Sequence, residues 1–280
     1  MCRWLAYSGS PIRLEELLVK PKHSLIDQSL HAQQGATTTN GDGFGAGWYG
    51  DAETPRIYHS TRPAWNDLNL RELAAGISAP LFFAHIRAST GSAVQQTNTH
   101  PFRHGRWLWM HNGLIREFFR VRRELVLAVD DSLYPSIEGT TDSETMFYLA
   151  LTFGLESDPV AAVERMVGFV EEIGHRHGIE LPVQMTVATT DGRCVWAFRY
   201  SSEGSSRSLY FSTRVDALRA LYPENEAIAR LSDESRAVVS EPLGDLPDVW
   251  NEVPESHVGI VQPGADELRP FTPYRNLAFA

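Results

Sequence analysis

Cysteine is scarce in this chain: Cys2 and Cys194 are the only two among 280 residues. That is too few for the disulfide framework of a small secreted domain, and it points to a reducing, cytoplasmic setting. A single Cys2–Cys194 bridge stays open on the sequence alone. Basic charge is also short. Twenty-five basic residues stand against 35 acidic ones, a net charge of −10. Such a surface repels a phosphate backbone, so no nucleic-acid partner is expected. No run of about 18 apolar residues occurs, so no membrane span is expected. The opening carries neither the basic stretch nor the apolar core of a signal peptide. Cys2 is therefore not expected to be a lipobox cysteine, and a non-glycine at position 2 excludes N-myristoylation. Metal signatures are missing too. HEXXH is absent and no Cys/His pairing has zinc spacing. His175 and His177 read as surface residues, so neither a metal nor any other cofactor is expected. The glycine-rich stretch NGDGFGAGWYG lacks a following Gly-Lys-Ser/Thr, and a strand pattern rather than a helix comes after it. That excludes a phosphate cradle.

What the chain does have is a globular composition, 42% hydrophobic and 21% charged, at a length that buries roughly three quarters of the unfolded surface. CRWLAYSG, GAGWYG, RIYHS, PLFFAHIR and RWLWMHNG are apolar, aromatic or β-branched, and bounded by Gly, Pro or Asn, as strands are. LFFAHI is apolar almost throughout, the mark of a strand covered on both faces. Helical spacing follows in LEELL, in a segment starting at Leu114, and in SETMFYLALTFG, which ends at Gly154. The clearest helix is DPVAAVERMVGFVEEIG, with Asp158 as cap, Pro159 in the first turn and Gly174 at the end. Strand patterns return in VQMTVATT, CVWAFRY, LYFSTR, RAVVSEP and SHVGIVQ. This order is not βαβ alternation. It predicts an α+β fold of two stacked, mainly antiparallel sheets with helices on their outer faces. No linker interrupts it, so residues 1–280 read as one domain with an extended tail from about 263.

Four places carry candidate chemistry, each with a plain structural alternative. Removal of Met1 would leave Cys2 with both a thiol and an α-amine, whose ordinary pKa values are about 8.5 and 7.7–8.0. Such an amine can act as base for its own side chain. Asn112-Gly113 is either a hairpin turn or a pair of donors converging on an oxyanion. Arg87, after the buried strand, either makes a structural ion pair or presents its planar fork to a ligand carboxylate. Asp142, ahead of a helix, either caps it or receives a substrate ammonium.

Taken in order, Cys2, GDGFG, HIRAST, HNG and TDSE resemble the class II glutamine amidotransferases, the N-terminal-nucleophile glutaminases. The resemblance runs from Cys2 to about Thr145. The opening MCRWL, the HSLIDQS stretch and NGDGFG look most like the short stand-alone branch. The resemblance implies a four-layer αββα sandwich, the N-terminal nucleophile hydrolase fold. It makes Cys2 the nucleophile, with its freed α-amine as base, and Asn112 and Gly113 the oxyanion hole. It gives the α-carboxylate of a glutamyl group to Arg87 and the α-ammonium to Asp142. Thr90 and His100 fall in the loop that shapes the glutamine pocket. The chain departs from the pattern after Arg87. Several synthase-linked members carry Trp and then Thr-His there, whereas this chain has Ala88, Ser89, Thr90 and Gly91.

The activity so implied is hydrolysis of a γ-glutamyl amide through a Cys2 thioester, releasing glutamate without a cofactor. The expected partner is a small γ-glutamyl molecule, with no nucleic acid and no membrane. Two alternatives stand beside it: a glutaminase subunit that serves a separate protein, and a non-catalytic γ-glutamyl-binding module. An acyl-amide hydrolase fits less well, since an acyl chain offers no zwitterion to Arg87 and Asp142. Leaving group and oligomeric state stay open.

Overall fold

The computed structural model describes residues 2–31, 39–89, 91–212, 215–216, 219, 222–244 and 249–274. Two antiparallel sheets form its centre. In chain order the strands are β1 (Arg3–Arg13), β2 (Phe44–Trp48), β3 (Arg56–Ser60), β4 (Ser78–Ile86), β5 (Phe102–His104), β6 (Trp107–Ile115) and β7 (Val183–Thr190). They continue as β8 (Val195–Ser201), β9 (Tyr210–Ser212), β10 (Arg236–Val239), β11 (Trp250–Glu252), β12 (His257–Val261) and β13 (Glu267–Pro270). One sheet has the order β11-β9-β10-β1-β4-β2-β3, the other β13-β12-β8-β7-β6-β5. Three short helices, α1 (Glu15–Leu18), α2 (Leu25–His31) and α3 (Leu68–Gly76), cover the first sheet. Three more, α4 (Phe118–Leu127), α5 (Asp142–Thr152) and α6 (Pro159–Arg176), cover the second.

The period-two alternation of a strand explains why both faces of the central strands are apolar. In β1, Trp4 and Ala6 face the other sheet, while Leu5 and Tyr7 face the helices. In β4, Leu81 and Phe83 point between the sheets, and Phe82 and Ala84 point to the helices. In β6, Leu108 and Met110 join the inter-sheet layer, and Trp107 and Trp109 meet α5 and α6. Three apolar layers therefore separate four layers of structure, αββα, as expected. No helix among the described residues is long and apolar enough to cross a membrane.

Helix boundaries differ from the expected ones at three points. The segment starting at Leu114 is not helical at its start: Leu114 and Ile115 pair with Gln184 and Val183 at the end of β6. The helix begins at Phe118, after Glu117 turns the chain at φ +50°. α6 runs two residues past Gly174 to Arg176. Gly174 is there for packing, because a Cβ would lie 2.4 Å from Pro182. Asp158 does cap α6, accepting from the Ala161 amide. α5 is capped by Thr141, so Asp142 is its first residue rather than its cap. Beyond residue 263, β13 pairs with β12, and Phe271 is buried against Phe198 and Tyr200.

Phe147 of α5 is fully buried and stacks on Trp109 of β6 at 5.7 Å. Phe147→Ala is expected to cost about 3–5 kcal/mol, read from the urea unfolding midpoint. A loss under about 1 kcal/mol would contradict this account of the helix–sheet layer.

Candidate active site

Cys2 lies directly before β1, at the centre of the first sheet. Arg3 pairs with Ile86, so Cys2 stands beside the end of β4, where Arg87 and Ala88 follow. The Ala88 amide donates to the Cys2 Sγ at 3.3 Å. The thiol is half-buried, and desolvation raises its pKa above the ordinary value. The Ala88 amide and the charges of Arg87 and Arg3 act in the opposite direction. The Cys2 carbonyl accepts from Asn112 Nδ2 at 2.9 Å and from Arg3 Nη1 at 3.0 Å. Arg3 in turn is held by Glu241 at 2.6 Å, and Glu241 by His23 at 2.7 Å.

Asn112 and Gly113 sit inside β6, paired with Thr186 and Met185, so they are not a hairpin turn. Asn112 is buried, and its Oδ1 faces His85 Nε2 at 3.2 Å. His85 is fully buried, and desolvation pushes its pKa down to about 3. A neutral ring facing an amide oxygen must carry its proton on Nε2 to donate, an assignment that rests on this hydrogen bond. The contact fixes the Asn112 amide with its NH2 towards Cys2. Gly113 has φ +149°, and a Cβ there would lie 1.9 Å from the Gln184 carbonyl oxygen and 2.6 Å from His111 Nε2. Only glycine fits that position.

Arg87 is 3% exposed. Its Nη2 donates to Ser92 Oγ at 2.7 Å, to the Ala93 carbonyl at 3.0 Å and to Ser89 Oγ at 3.2 Å. Its Nη1 is buried without a partner. Leaving a buried donor unpaired costs about 1–3 kcal/mol, more for a charged group, so an acceptor from outside the chain would be welcomed there. The glycine-rich stretch has its explanation here. Arg87 N donates to Gly43 O at 2.8 Å, Asp42 N donates to Arg87 O at 3.0 Å, and Ser89 N donates to Asp42 Oδ2 at 2.7 Å. Gly43 adopts φ +114°, which allows this brace around the arginine.

Asp142 connects the start of α5 to β6. Its Oδ2 accepts from the Ile115 amide at 2.8 Å, and its Oδ1 from the Ser143 amide at 2.7 Å. Ser143 Oγ lies 2.8 Å from His111 Nδ1. His100 is buried behind this group, its ring 4.2 Å from that of His85, with both ring nitrogens unpartnered. Thr90 lies outside the described residues. Thus Cys2, Arg87, Asn112 and Gly113 converge, and Asp142 joins them through the last residues of β6. The sequence reading missed His85, His111, Arg3 and Glu241. For His85 a signal existed, a titratable group inside an apolar strand. For Glu241, 238 residues from Arg3, there was none.

Elsewhere, His175 faces the Glu180 carbonyl and His177 pairs with Glu124. Among the described residues no group of three or more His, Cys, Asp or Glu is placed to hold a metal. Cys2 and Cys194 are both free thiols.

The sequence model of the class II glutamine amidotransferases matches residues 18–265. The chain is 32% identical to the probable glutamine amidotransferase DUG3 of Saccharomyces cerevisiae, over 96% of this chain and 84% of that one. It is 26% identical to the gamma-glutamyl-hercynylcysteine sulfoxide hydrolase of Mycolicibacterium smegmatis, over 92% and 94%. Among solved structures, a glutamine aminotransferase class-II domain protein from Silicibacter pomeroyi aligns with a TM-score of 0.75 at 31% identity, covering 98% of this chain and 100% of that one. The glutamine PRPP amidotransferase of B. subtilis shares the fold, with a TM-score of 0.65 at 13% identity.

Burial sets a pH dependence. Desolvation lowers the pKa values of His85, His100, His111 and His59 below the ordinary 6.5, whereas hydrogen bonding to Glu241 raises that of His23. Below pH 6.5 the unfolded chain then binds more protons at four of these sites and fewer at one. Stability is therefore expected to fall as pH drops from about 6.5 towards 3, the four lowered histidines outweighing His23, whose own smaller contribution is lost as pH rises above 6.5. Thermal unfolding at pH 7 and pH 5 checks this. An unchanged or higher midpoint at pH 5 would contradict it.

Proposed function

The chain belongs to the class II glutamine amidotransferases and is an enzyme of that family; on this premise we propose that it hydrolyses a γ-glutamyl amide through a Cys2 thioester. One observation supports the reading above the rest. The segment Arg87-Ala88 holds the thiol at Ala88 and, one residue away, a buried guanidinium with an unpartnered Nη1. A guanidinium and a nucleophile held by neighbouring residues suit an amino-acid substrate whose reacting carbonyl lies down its side chain.

Removal of Met1 frees the α-amine of Cys2. Burial disfavours the thiolate, so a base built into the same residue is what the site needs. The amine takes the thiol proton, and Sγ attacks the γ-carbonyl carbon. The carbonyl oxygen becomes an oxyanion that accepts from Asn112 Nδ2 and the Gly113 amide. An amide NH2 carries two hydrogens, so Asn112 can serve the oxyanion while keeping its bond to the Cys2 carbonyl. The protonated amine then passes its proton to the departing nitrogen, and the C–N bond breaks. Water adds to the resulting thioester, the C–S bond breaks, and glutamate leaves. Arg87 holds the α-carboxylate through Nη1, and Asp142 receives the α-ammonium. Two free thiols suit a cytoplasmic location, and the three apolar layers suit a single domain over 1–280.

Cys2→Ala is expected to abolish glutamate release from γ-glutamyl amides and to leave the circular dichroism spectrum unchanged. Wild-type turnover in that variant would sink the mechanism. Asn112→Ala is expected to lower kcat about 10²–10³-fold, as loss of one oxyanion donor does elsewhere, with a smaller change in KM. A change confined to KM would remove Asn112 from the reacting centre.

A further inference from the structure

The segment between β8 and β9 crosses from one sheet to the other beside the site. At one end the Ser205 carbonyl accepts from Gln184 Nε2 at 3.4 Å, and Gln184 is the β7 residue whose carbonyl abuts Gly113. At the other, Ser208 Oγ donates to the Ser240 carbonyl at 3.0 Å. Ser240 is tied to β1 by its amide, which donates to the Trp4 carbonyl, and by its Oγ, which accepts from the Trp4 amide at 2.9 Å. The crossing is thus pinned at one end to the strand behind Gly113 and at the other to Ser240, which braces the strand that Cys2 leads. Between the two anchors sits Arg207. The segment is firmly held: Ser206 bonds Glu255 through both its amide and its hydroxyl, and Arg199 Nε donates to Ser206 Oγ.

Arg207 is half-buried, and no carboxylate among the described residues pairs with its guanidinium. Its segment is tied at one end to Gln184, which abuts Gly113, and at the other through Ser240 to Trp4, two residues from Cys2, which places Arg207 beside the reacting centre. In keeping with this, Cys2 favours the charged form of Arg207, and that charge disfavours the charged form of the His111 ring. Other cations nearby already have work. Arg3 is paired with Glu241, and Arg87 is braced by Ser89, Ser92 and Ala93. In the proposed reaction, Arg87 and Asp142 account for both charges of the glutamyl half. Any anion left for Arg207 to bind must therefore be on the other half of the substrate.

We propose that Arg207 is a specificity residue, which receives a carboxylate carried by the departing amine. The preferred substrates are then γ-glutamyl amides of amino acids or peptides, above glutamine itself, whose leaving ammonia has nothing for a guanidinium to hold. This inference rests on the hydrolytic reading of the Cys2 site. It adds a second arginine fork, on the opposite side of the scissile bond from the first. A guanidinium and a carboxylate meet as a bidentate, charge-assisted pair, which gives both affinity and orientation.

A matched pair of substrates tests it: γ-glutamylglycine and γ-glutamylmethylamide, which differ only by the carboxylate on the leaving amine. Wild-type kcat/KM is expected to favour γ-glutamylglycine by at least about tenfold, the worth of a hydrogen bond to a charged group. Arg207→Ala should collapse that ratio towards one, and Arg207→Lys should retain part of it. The ratio separates binding of the leaving group from any effect of Arg207 on the thiol, which would change both substrates equally. A wild-type ratio near one, or an equal loss on both substrates in Arg207→Ala, overturns the proposal. Calorimetry on the Cys2→Ala protein reads the same pair without turnover. Tighter binding of γ-glutamylglycine supports the proposal, and equal or absent binding of both overturns it. If the Cys2→Ala protein binds γ-glutamylglycine more tightly while the wild type releases glutamate from neither, the hydrolytic reading fails and the assignment of Arg207 stands.

Discussion

The hydrogen bond from Asn112 Nδ2 to the Cys2 carbonyl joins the two sheets at the point where chemistry is proposed to occur. Cys2 leads the central strand of one sheet, and Asn112 sits within β6 of the other. Without that bond the nucleophile and the oxyanion donors would belong to separate layers. The rest of the site supports it from behind. His85, neutral because it is buried, fixes the Asn112 amide from the β4 side. Arg3 holds the same carbonyl from the other direction, and Glu241 and His23 hold Arg3. A position so buried and so fully hydrogen-bonded tolerates little displacement, which suits a step that depends on distances of about 3 Å.

Charge is distributed unevenly over the molecule. The chain carries a net charge of −10, yet the groups whose charges act on the Cys2 site include Arg3, Arg87 and Arg207. Arg3 and Arg87 work against desolvation, which raises the thiol pKa. The three cations make the surroundings of Cys2 locally positive inside a protein of net negative charge. Of the three, only Arg3 is neutralised by a described carboxylate. Arg87 keeps a buried, unpartnered nitrogen, the observation on which its proposed role as a carboxylate receptor rests.

Much of the fold was legible because both faces of the central strands are buried. That makes PLFFAHIR and RWLWMHNG read as apolar runs, and each forms a strand close to where the pattern put it. The helix expected from Leu114 failed for a physical reason. Leu114 and Ile115 satisfy helical spacing, but they pair with β7, and the Ile115 amide is taken by Asp142. The Asn112-Gly113 pair looked like a turn locally and proved to be strand, because the crowding that demands glycine comes from Gln184, 71 residues on. Asp142 was legible as a residue of interest but not as the link between α5 and β6. The Arg3–Glu241–His23 chain and the approach of Arg207 were not legible at all. They join segments far apart in sequence, and no local pattern encodes them.

The central claim is that Cys2, freed of Met1, carries the glutamyl group between the two halves of the reaction. Mass spectrometry of enzyme quenched in acid during turnover of a γ-glutamyl amide tests it most directly. The account predicts an N-terminal peptide that lacks Met1 and bears one glutamyl group on Cys2. A turning-over enzyme with Met1 retained, or with the glutamyl group on another residue, would contradict it.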